Sequence, residues 1–293
     1  MPNRFPGQPC VLCPNPSVGV GEHVWSQWLV QEFGDQGPFT SSKGGVPYTK
    51  RDGVTVVRLP ALPSVHVPMC KSCNELLNRT IEQPVKDIGR RLIPWSEDHA
   101  WPLVTAEESA ALARWYLKIG LLSAHPKAVH DNPHVDRDED LPRFASMEPE
   151  WLDWMRDGSP PPDGFSIFVT RRAVAEETPW EGETARIFLP HVRVGSHDLR
   201  YASRSFGIRG LNISIVWHPS WPILHPLVEA GRACQIWPSP VNVDFGALPE
   251  LNPREFSFVE GIGVMAVTED EFARMTENPL QVGVDPVSAF FGT

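Results

Sequence analysis

Four of the five cysteines fall in two Cys-x-x-Cys pairs, Cys10 with Cys13 and Cys70 with Cys73. Each pair can direct two thiolates at one ion, and four thiolates complete the tetrahedral shell that Zn²⁺ prefers. In a protein of a reducing compartment, such pairs indicate a metal site instead of disulfides. We therefore expect a closed, structural zinc site in the first third of the chain. The remaining Cys234 is expected to be a buried free thiol in a strand.

A second group of residues that could do chemistry lies beside these pairs. Glu22 and His23 stand between them, Asn74 follows Cys73 directly, and Asn78 comes four residues later. A neutral imidazole can take a proton from water. Carboxylate and amide oxygens are ligands that suit Mg²⁺ or Mn²⁺. Brought together by folding, these side chains would supply the base and the metal ligands that phosphodiester hydrolysis uses.

The order Cys-x-x-Cys, Glu-His-Val, Cys-x-x-Cys-Asn, over residues 10 to about 92, resembles the HNH (ββα-metal) endonucleases. The resemblance implies a treble-clef-like nuclease domain in which zinc knuckles join a β-hairpin to a helix. It extends more weakly through residues 105–123, which are similar to a helix of uncharacterised bacterial members of the family.

The resemblance also implies a role for each candidate residue. His23 matches the general base, and Glu22 and Asn74 match the ligands of a catalytic Mg²⁺ or Mn²⁺ ion. Asn78 is a further candidate ligand. His66 stands four residues before the second cysteine pair, where the family has a residue that orients the base or contacts phosphate.

Each of these residues also has a purely structural interpretation. His23 could be a polar residue at a turn, and Glu22 a solvated carboxylate. Asn74 could cap a helix N-terminus, which is a common role of asparagine. His66 could pack within a strand between two valines. A further set of residues could suggest another metal site, but it lies in an acidic segment, for which a solvated loop is the default interpretation: His125, His130, His134, Asp131 and Asp136.

Periodicity predicts the elements that must position these residues. A short helix follows His23, and a longer helix follows Cys73 as far as Leu92, interrupted at Pro84. Short strands are predicted at Val54–Leu59 and Val65–Val67. Thr105 and Glu108 form a capping-box pattern at the start of a helix of about 17 residues.

The second half of the chain predicts mainly strands. A Pro-rich breaker at residues 159–164 separates it from the rest. Strands are predicted at Phe165–Thr170, Ala185–Leu189, Leu211–Trp217, Cys234–Trp237 and Gly263–Val267, with a capped helix from Thr268. We therefore predict an α+β protein. It comprises a zinc-stabilised HNH nuclease domain (1–95), a helical bridge with an acidic loop (96–158) and a β-rich C-terminal domain (159–293).

Charge is distributed unevenly along the chain. Residues 1–95 hold 10 Lys and Arg against 7 Asp and Glu, whereas residues 96–293 hold 16 against 29. A polyanion should therefore meet the N-terminal third, because Lys and Arg carry phosphate binding. The acidic remainder could meet a protein partner. Because the sequence has no secretory signal and no apolar stretch long enough to span a bilayer, we expect a cytoplasmic protein without membrane contact.

Together these observations predict a metal-dependent endonuclease. Its expected substrate is nucleic acid, and specifically DNA. The alternative is a zinc-stabilised module that binds nucleic acid or protein without cleaving it. Overall acidity and the lack of an asparagine at the middle position of the motif favour this alternative. A regulatory or toxin subunit of a larger assembly is a third hypothesis, which stable co-purification of a second protein would support.

Overall fold

The computed structural model describes residues 4–35, 37–40, 42–43, 46–47, 55, 58–62, 64–93, 100–131, 144, 146–172, 186–199, 201–218, 223–251, 257–277 and 280–281. The chain divides into two compact units. Unit 1 comprises Met1–Asp87 and Arg114–Pro162, and unit 2 comprises Ile88–Ala113 and Asp163–Thr293. This division differs from the expected one, since residues 114–162 join the N-terminal unit instead of forming a separate bridge.

Strands occur throughout the described residues. In chain order they are β1 (Glu22–His23), β2 (Phe39–Thr40), β3 (Ser42–Lys43), β4 (Val46–Pro47), β5 (Arg58–Leu59), β6 (Val65–Val67), β7 (Leu103–Val104), β8 (Val129–His130), β9 (Phe165–Arg172), β10 (Arg186–Val194), β11 (His197–Leu199), β12 (Ala202–Ile208), β13 (Leu211–Trp217), β14 (Ile223–Leu224), β15 (Cys234–Trp237), β16 (Val243–Asp244), β17 (Glu250–Leu251), β18 (Ser257–Val267) and β19 (Leu280–Gln281). The predicted strands at Leu211–Trp217 and Cys234–Trp237 are confirmed at both ends. Of the predicted strand Val54–Leu59, residues 54, 56 and 57 lie outside the described residues. The first residue of the predicted strand Ala185–Leu189 also lies outside them.

Helices lie mainly in the first half. They are α1 (Gln27–Phe33), α2 (Lys71–Leu77), α3 (Gln83–Leu92), α4 (Ala106–Ala124), α5 (Glu150–Asp157), α6 (Pro226–Glu229) and α7 (Glu269–Thr276). The mixture of sheets and helices confirms the α+β class. Within the described residues, none of the helices combines the length and the apolar composition that crossing a bilayer requires.

Helices α2 and α3 form one rod, joined by a wide π-helical turn at Asn78–Glu82. The predicted break at Pro84 is thereby absorbed without ending the helix. Proline lacks the N–H that would bond the carbonyl four residues earlier, and its ring crowds that carbonyl. A locally widened turn accommodates both effects. The turn also directs Ile81 and Glu82 into the interior, where both side chains are buried.

Helix α4 begins with the capping box that its sequence predicts. The backbone N–H of Glu108 donates to Thr105 Oγ1 at 3.2 Å, and the backbone N–H of Thr105 donates to Glu108 Oε2 at 3.0 Å. In unit 1 the helix buries Trp115, whose ring stacks on Trp28 with centroids 5.5 Å apart. Trp115 Nε1 donates to Ser26 Oγ at 2.8 Å. These contacts anchor α4 to the segment that follows β1.

A three-stranded antiparallel sheet, in the order β1-β6-β8, forms the centre of unit 1. Glu22 lies opposite Val67, and His23 lies opposite His66. Because successive residues of a strand point to opposite faces, Glu22 and His23 occupy different sides of this sheet. We call the side bearing His23 and His66 the histidine face.

On the other side of the sheet, the Lys118 ammonium group of α4 is enclosed by oxygen acceptors. Lys118 Nζ lies 2.7 Å from Glu22 Oε1 and 2.8 Å from Glu82 Oε1. It also donates to the carbonyls of Val24 at 2.9 Å and His23 at 3.1 Å. The Lys118 side chain is completely buried. One ammonium group therefore ties the sheet, the π-helical turn and α4 together.

Unit 2 contains two larger sheets. One has the order β12-β13-β9-β15 with β17 paired to β9, and the other has the order β11-β10-β18. Strands β10 and β18 are parallel, whereas β12, β13, β9 and β15 are antiparallel neighbours. Phe168 of β9 stacks on Phe258 of β18, with ring centroids 5.7 Å apart. The β-rich character expected for the C-terminal region is thus present.

Replacing Lys118 with methionine should destabilise unit 1 strongly. The change removes the cation but leaves Glu22 and Glu82 buried together, and breaking a buried ion pair from one side typically costs about 3–5 kcal/mol. Urea unfolding followed by tryptophan fluorescence measures the loss. Lys127→Met, at an exposed position, is the matched control and should leave the free energy of unfolding unchanged. Equal stabilities of the two variants would contradict the role given to Lys118.

Candidate metal centre and histidine site

Backbone hydrogen bonds bring the two cysteine pairs together. The N–H of Cys10 donates to the carbonyl of Asn15 at 2.8 Å, which closes the first turn. The N–H of Val11 donates to the carbonyl of Pro68 at 3.0 Å, and the N–H of Val18 donates to the carbonyl of Met69 at 3.0 Å. The first pair is therefore held against the residues that immediately precede the second pair.

The four cysteine sulfurs form a compact cluster, which we call the cysteine cluster. All four Sγ atoms of Cys10, Cys13, Cys70 and Cys73 lie within 4.8 Å of one another. Cys13 Sγ lies 3.6 Å from both Cys70 Sγ and Cys73 Sγ. Sulfurs bound to zinc at 2.3 Å with tetrahedral angles lie about 3.8 Å apart. These four residues could hold a zinc ion, as the sequence predicts.

Hydrogen-bond donors surround the sulfurs. The backbone N–H of Leu12 donates to Cys10 Sγ at 3.4 Å, and Ser72 Oγ lies 3.3 Å from Cys70 Sγ. Burial acts to raise the pKa of the Cys70 thiol, but hydrogen bonds from Ser72 and from the backbone of Cys73 lower it to about 6. Since the thiolate is the form that binds a metal, these donors favour the binding form of Cys70, whereas burial raises the pKa of Cys10 and of Cys73.

The histidine face brings together two residues that the sequence singled out. The rings of His23 and His66 lie 4.2 Å apart between centroids. His66 is 4% exposed, whereas His23 is only partly buried. Gly21, just before β1, has a positive φ of 77°, and a Cβ there would lie 2.2 Å from the carbonyl oxygen of Val67. Only glycine allows this close approach of the chain to β6.

An arginine and an aspartate complete the histidine face. Arg4 donates to both carboxylate oxygens of Asp131, one of them at 2.8 Å. Arg4 NH1 also lies 3.1 Å from His66 Nδ1. Asp131 follows β8 and is held by its backbone N–H, which donates to the carbonyl of Ser64 at 2.8 Å. The hypothesis of a solvated loop is therefore wrong for Asp131, whose partner is Arg4.

The electrostatics of this face favour neutral imidazoles. Burial lowers the pKa of His23, and the nearby charges of Lys118 and Arg4 lower it further. Burial, with His23 and Arg4 in addition, lowers the pKa of His66 to about 4. The hydrogen bond from Arg4 lowers the pKa of Asp131. At neutral pH, His23 is therefore uncharged and able to accept a proton.

Glu22 has a different environment from the one that its expected role requires. Its side chain is 7% exposed and pairs with Lys118 on the side of the sheet away from the histidine face. Burial raises the pKa of Glu22, and the neighbouring Glu82 raises it further against the opposing effect of Lys118. In this structure Glu22 is a structural partner of Lys118, and the alternation of side chains along β1 separates it from His23.

The two asparagines predicted as ligands of a catalytic ion, Asn74 and Asn78, follow the second cysteine pair. Cys70, not Asn74, is the N-cap of α2, so the capping interpretation of Asn74 is wrong. Asn74 lies within α2 and is partly buried. Asn78 lies in the π-helical turn, where its Oδ1 accepts from Gln83 Nε2 at 3.1 Å. Among the described residues, no hydrogen bond joins either asparagine to His23 or Glu22.

Within the part of the chain that the structure describes, the cysteine cluster is the one group of three or more His, Cys, Asp or Glu side chains placed to hold a metal. Asparagine is not one of these side-chain types, so the predicted pairing of Glu22 with Asn74 at a catalytic ion stays a prediction.

Comparisons of the chain with protein-family models, with curated proteins and with solved structures give no match. The resemblance to HNH endonucleases thus rests on the motif residues themselves. The geometry of the histidine face and of the cysteine cluster therefore carries the functional information in this chain.

Sequence reasoning missed Lys118, Glu82 and Arg4. Lys118 did carry a signal, since it interrupts an apolar run of α4 between Leu117 and Ile119. A charged residue in such a place needs a buried partner. Arg4 carried no comparable signal, because its partners Asp131 and His66 lie far away in the sequence.

We expect about one zinc ion per purified chain, because four thiolates form a closed tetrahedral site. Cys73→Ser should lose the zinc and lower the thermal unfolding midpoint. Inductively coupled plasma mass spectrometry measures the metal, and calorimetry measures the midpoint. Cys234→Ser is the matched control, since Cys234 is a free, partly buried thiol in β15 of unit 2. Purified wild-type protein without zinc, or loss of zinc from the control, would refute the assignment.

Proposed function

We propose that the chain is a zinc-stabilised endonuclease that hydrolyses phosphodiester bonds, with DNA as the expected substrate. The observation that carries this proposal is the pairing of a partly exposed, neutral His23 with buried His66, 4.2 Å apart between ring centroids. Arg4 and Asp131 lie on the same face. A base beside a guanidinium group is a combination that suits attack of water on a phosphodiester.

In this proposal His23 accepts a proton from the water that attacks phosphorus. The bond from phosphorus to the leaving oxygen then breaks, and the leaving oxygen is protonated by solvent. His66 contacts the His23 ring, and Arg4 contacts His66 in turn. These contacts limit the movement of the imidazole, and a fixed base lowers the cost of reaching the productive geometry.

The proposal includes a catalytic divalent ion, Mg²⁺ or Mn²⁺, which would stabilise the charge that develops on the phosphate. Mg²⁺ usually keeps several waters and binds through few protein ligands plus substrate phosphate oxygens. Asn74 is the remaining candidate ligand, because Glu22 is paired with Lys118. Asn78 is weaker, since its oxygen already accepts from Gln83.

A second candidate function is a zinc-stabilised module that binds nucleic acid or protein without cleavage. The pairing of Glu22 with Lys118 favours it, because the chain then lacks the carboxylate that the resemblance assigns to a catalytic ion. The acidic residues 96–293 would be the surface for a protein partner in this case. Binding of DNA without cleavage in the presence of Mg²⁺ or Mn²⁺ distinguishes this function from the first.

His23→Ala should reduce cleavage of a plasmid substrate by about 100-fold or more, because general bases typically contribute 10²–10⁴-fold. Zinc content and thermal stability should remain close to those of the wild type. Rates are measured with Mg²⁺, with Mn²⁺ and with EDTA. His197→Ala, at an exposed position of β11 in unit 2, is the matched control and should cleave at the wild-type rate.

The wild-type rate should also fall on acidification, because protonated His23 cannot act as a base. Since the pKa of His23 is lowered in the folded chain, the pH at which the rate has fallen to half should lie below 6.5. Wild-type-like cleavage by the His23 variant, or no cleavage by the wild type with either ion, would overturn the endonuclease proposal.

A further inference from the structure

One face of the five-stranded sheet in unit 2 carries polar side chains where a core would ordinarily be apolar. The register places Thr170 of β9 opposite Asn212 of β13, and Asn212 opposite Gly207 of β12. These three positions share one face of the sheet. Arg172, two residues after Thr170 along β9, points to the same face.

The guanidinium group of Arg172 reaches across the sheet. A Cβ placed on Gly207 would lie 2.4 Å from Arg172 NH1 and 3.5 Å from its Cζ. Arg172 and Gly207 stand on strands either side of β13, and neighbouring strands are about 4.8 Å apart. The side chain therefore crosses β13 in the neighbourhood of Asn212. Gly207 is exposed, so this place is open to solvent.

Two of the donors there have no acceptor. Asn212 is 7% exposed, and its buried Nδ2 has no hydrogen-bond partner. Among the described residues, Arg172 has neither an ion pair nor a side-chain hydrogen bond, and burial lowers its pKa. A buried donor without an acceptor, such as Asn212 Nδ2, costs free energy, whereas the Arg172 side chain is only partly buried. Such groups in a native fold call for a ligand or another compensating partner.

Arg171, the next residue along β9, shows the contrast. It lies on the opposite face, where its NH2 group is 2.7 Å from Glu250 Oε1 and its NH1 group donates to the carbonyl of Leu248 at 3.0 Å. It also lies over the ring of Trp101, 5.1 Å from the centroid. The Nη groups of Arg171 are therefore paired, although its buried Nε has no hydrogen-bond partner, whereas Arg172 has no paired acid among the described residues.

We propose that Arg172 and Asn212 form a binding site for an oxyanion, the phosphate or carboxylate group of a small molecule. Both residues offer N–H donors, and a guanidinium group can hold two oxygens of such a group at once. Thr170 lies beside them, and the hydroxyls of Ser205 and Ser214, 2.9 Å apart, lie further along the same face. Among the described residues of β9, β12, β13 and β15, no acidic side chain occupies this face. The site is independent of the proposed nuclease function.

Thermal unfolding of the full, zinc-loaded chain tests the site. Chloride, inorganic phosphate and succinate are compared at equal ionic strength and pH. The wild-type midpoint should rise by about 3 °C or more in phosphate, succinate or both, as expected for a ligand at about ten times its Kd. A response to phosphate alone identifies a phosphate ester as the ligand class, and a response to succinate alone identifies a carboxylate.

Arg172→Met should abolish this anion-dependent rise while its midpoint in chloride stays at or above that of the wild type. Arg171→Met should lower the midpoint in chloride but keep the rise. Gly207→Ala displaces the guanidinium group and should weaken the response. Phosphate also stabilises proteins through general exclusion from their surface. Equal rises in the wild type and in Arg172→Met would therefore show only this general effect and would overturn the proposal.

Discussion

The buried ammonium group of Lys118 is the constraint on which the arrangement of unit 1 depends. A desolvated charge is tolerated only where its donors find acceptors and its charge finds a counter-ion. Glu22, Glu82 and two carbonyls of the β1 segment meet that demand. Because the β1 segment and the π-helical turn contribute these oxygens and α4 contributes the ammonium group, the relative positions of the three are fixed together.

That constraint has a direct consequence for the chemistry of β1. With Glu22 directed at Lys118, the alternation of the strand directs His23 to the opposite side, where it meets His66. The cysteine cluster acts on the same region along the chain. Cys70 follows β6 closely and caps α2, so a zinc ion there would fix His66 on one side of the second pair and Asn74 on the other. Loss of the metal should therefore disturb the histidine face as well as the fold.

Local signals in the sequence were sufficient for much of the fold. The capping box at Thr105, the strand at Leu211–Trp217 and the convergence of the two cysteine pairs all follow from short-range patterns whose physics is local. The environment of Glu22 could not be predicted in this way, because it depends on a lysine in a distant helix. A motif gives the order of residues but not the face on which each one lies, and a change of one position reverses that face.

We infer that Glu22 supports the structure and that the chemistry of the proposed nuclease belongs to the histidine face. The rate of DNA cleavage by Glu22→Gln relative to the wild type tests this inference, with zinc content and unfolding midpoint measured on the same samples. Glutamine can still accept a hydrogen bond from Lys118, and the change leaves one ammonium group with one carboxylate. We expect folding and zinc content to be retained and the rate to stay within about threefold of the wild type. Loss of cleavage by about 100-fold in a folded, zinc-loaded variant would contradict this inference, because it would place Glu22 in contact with the reacting groups.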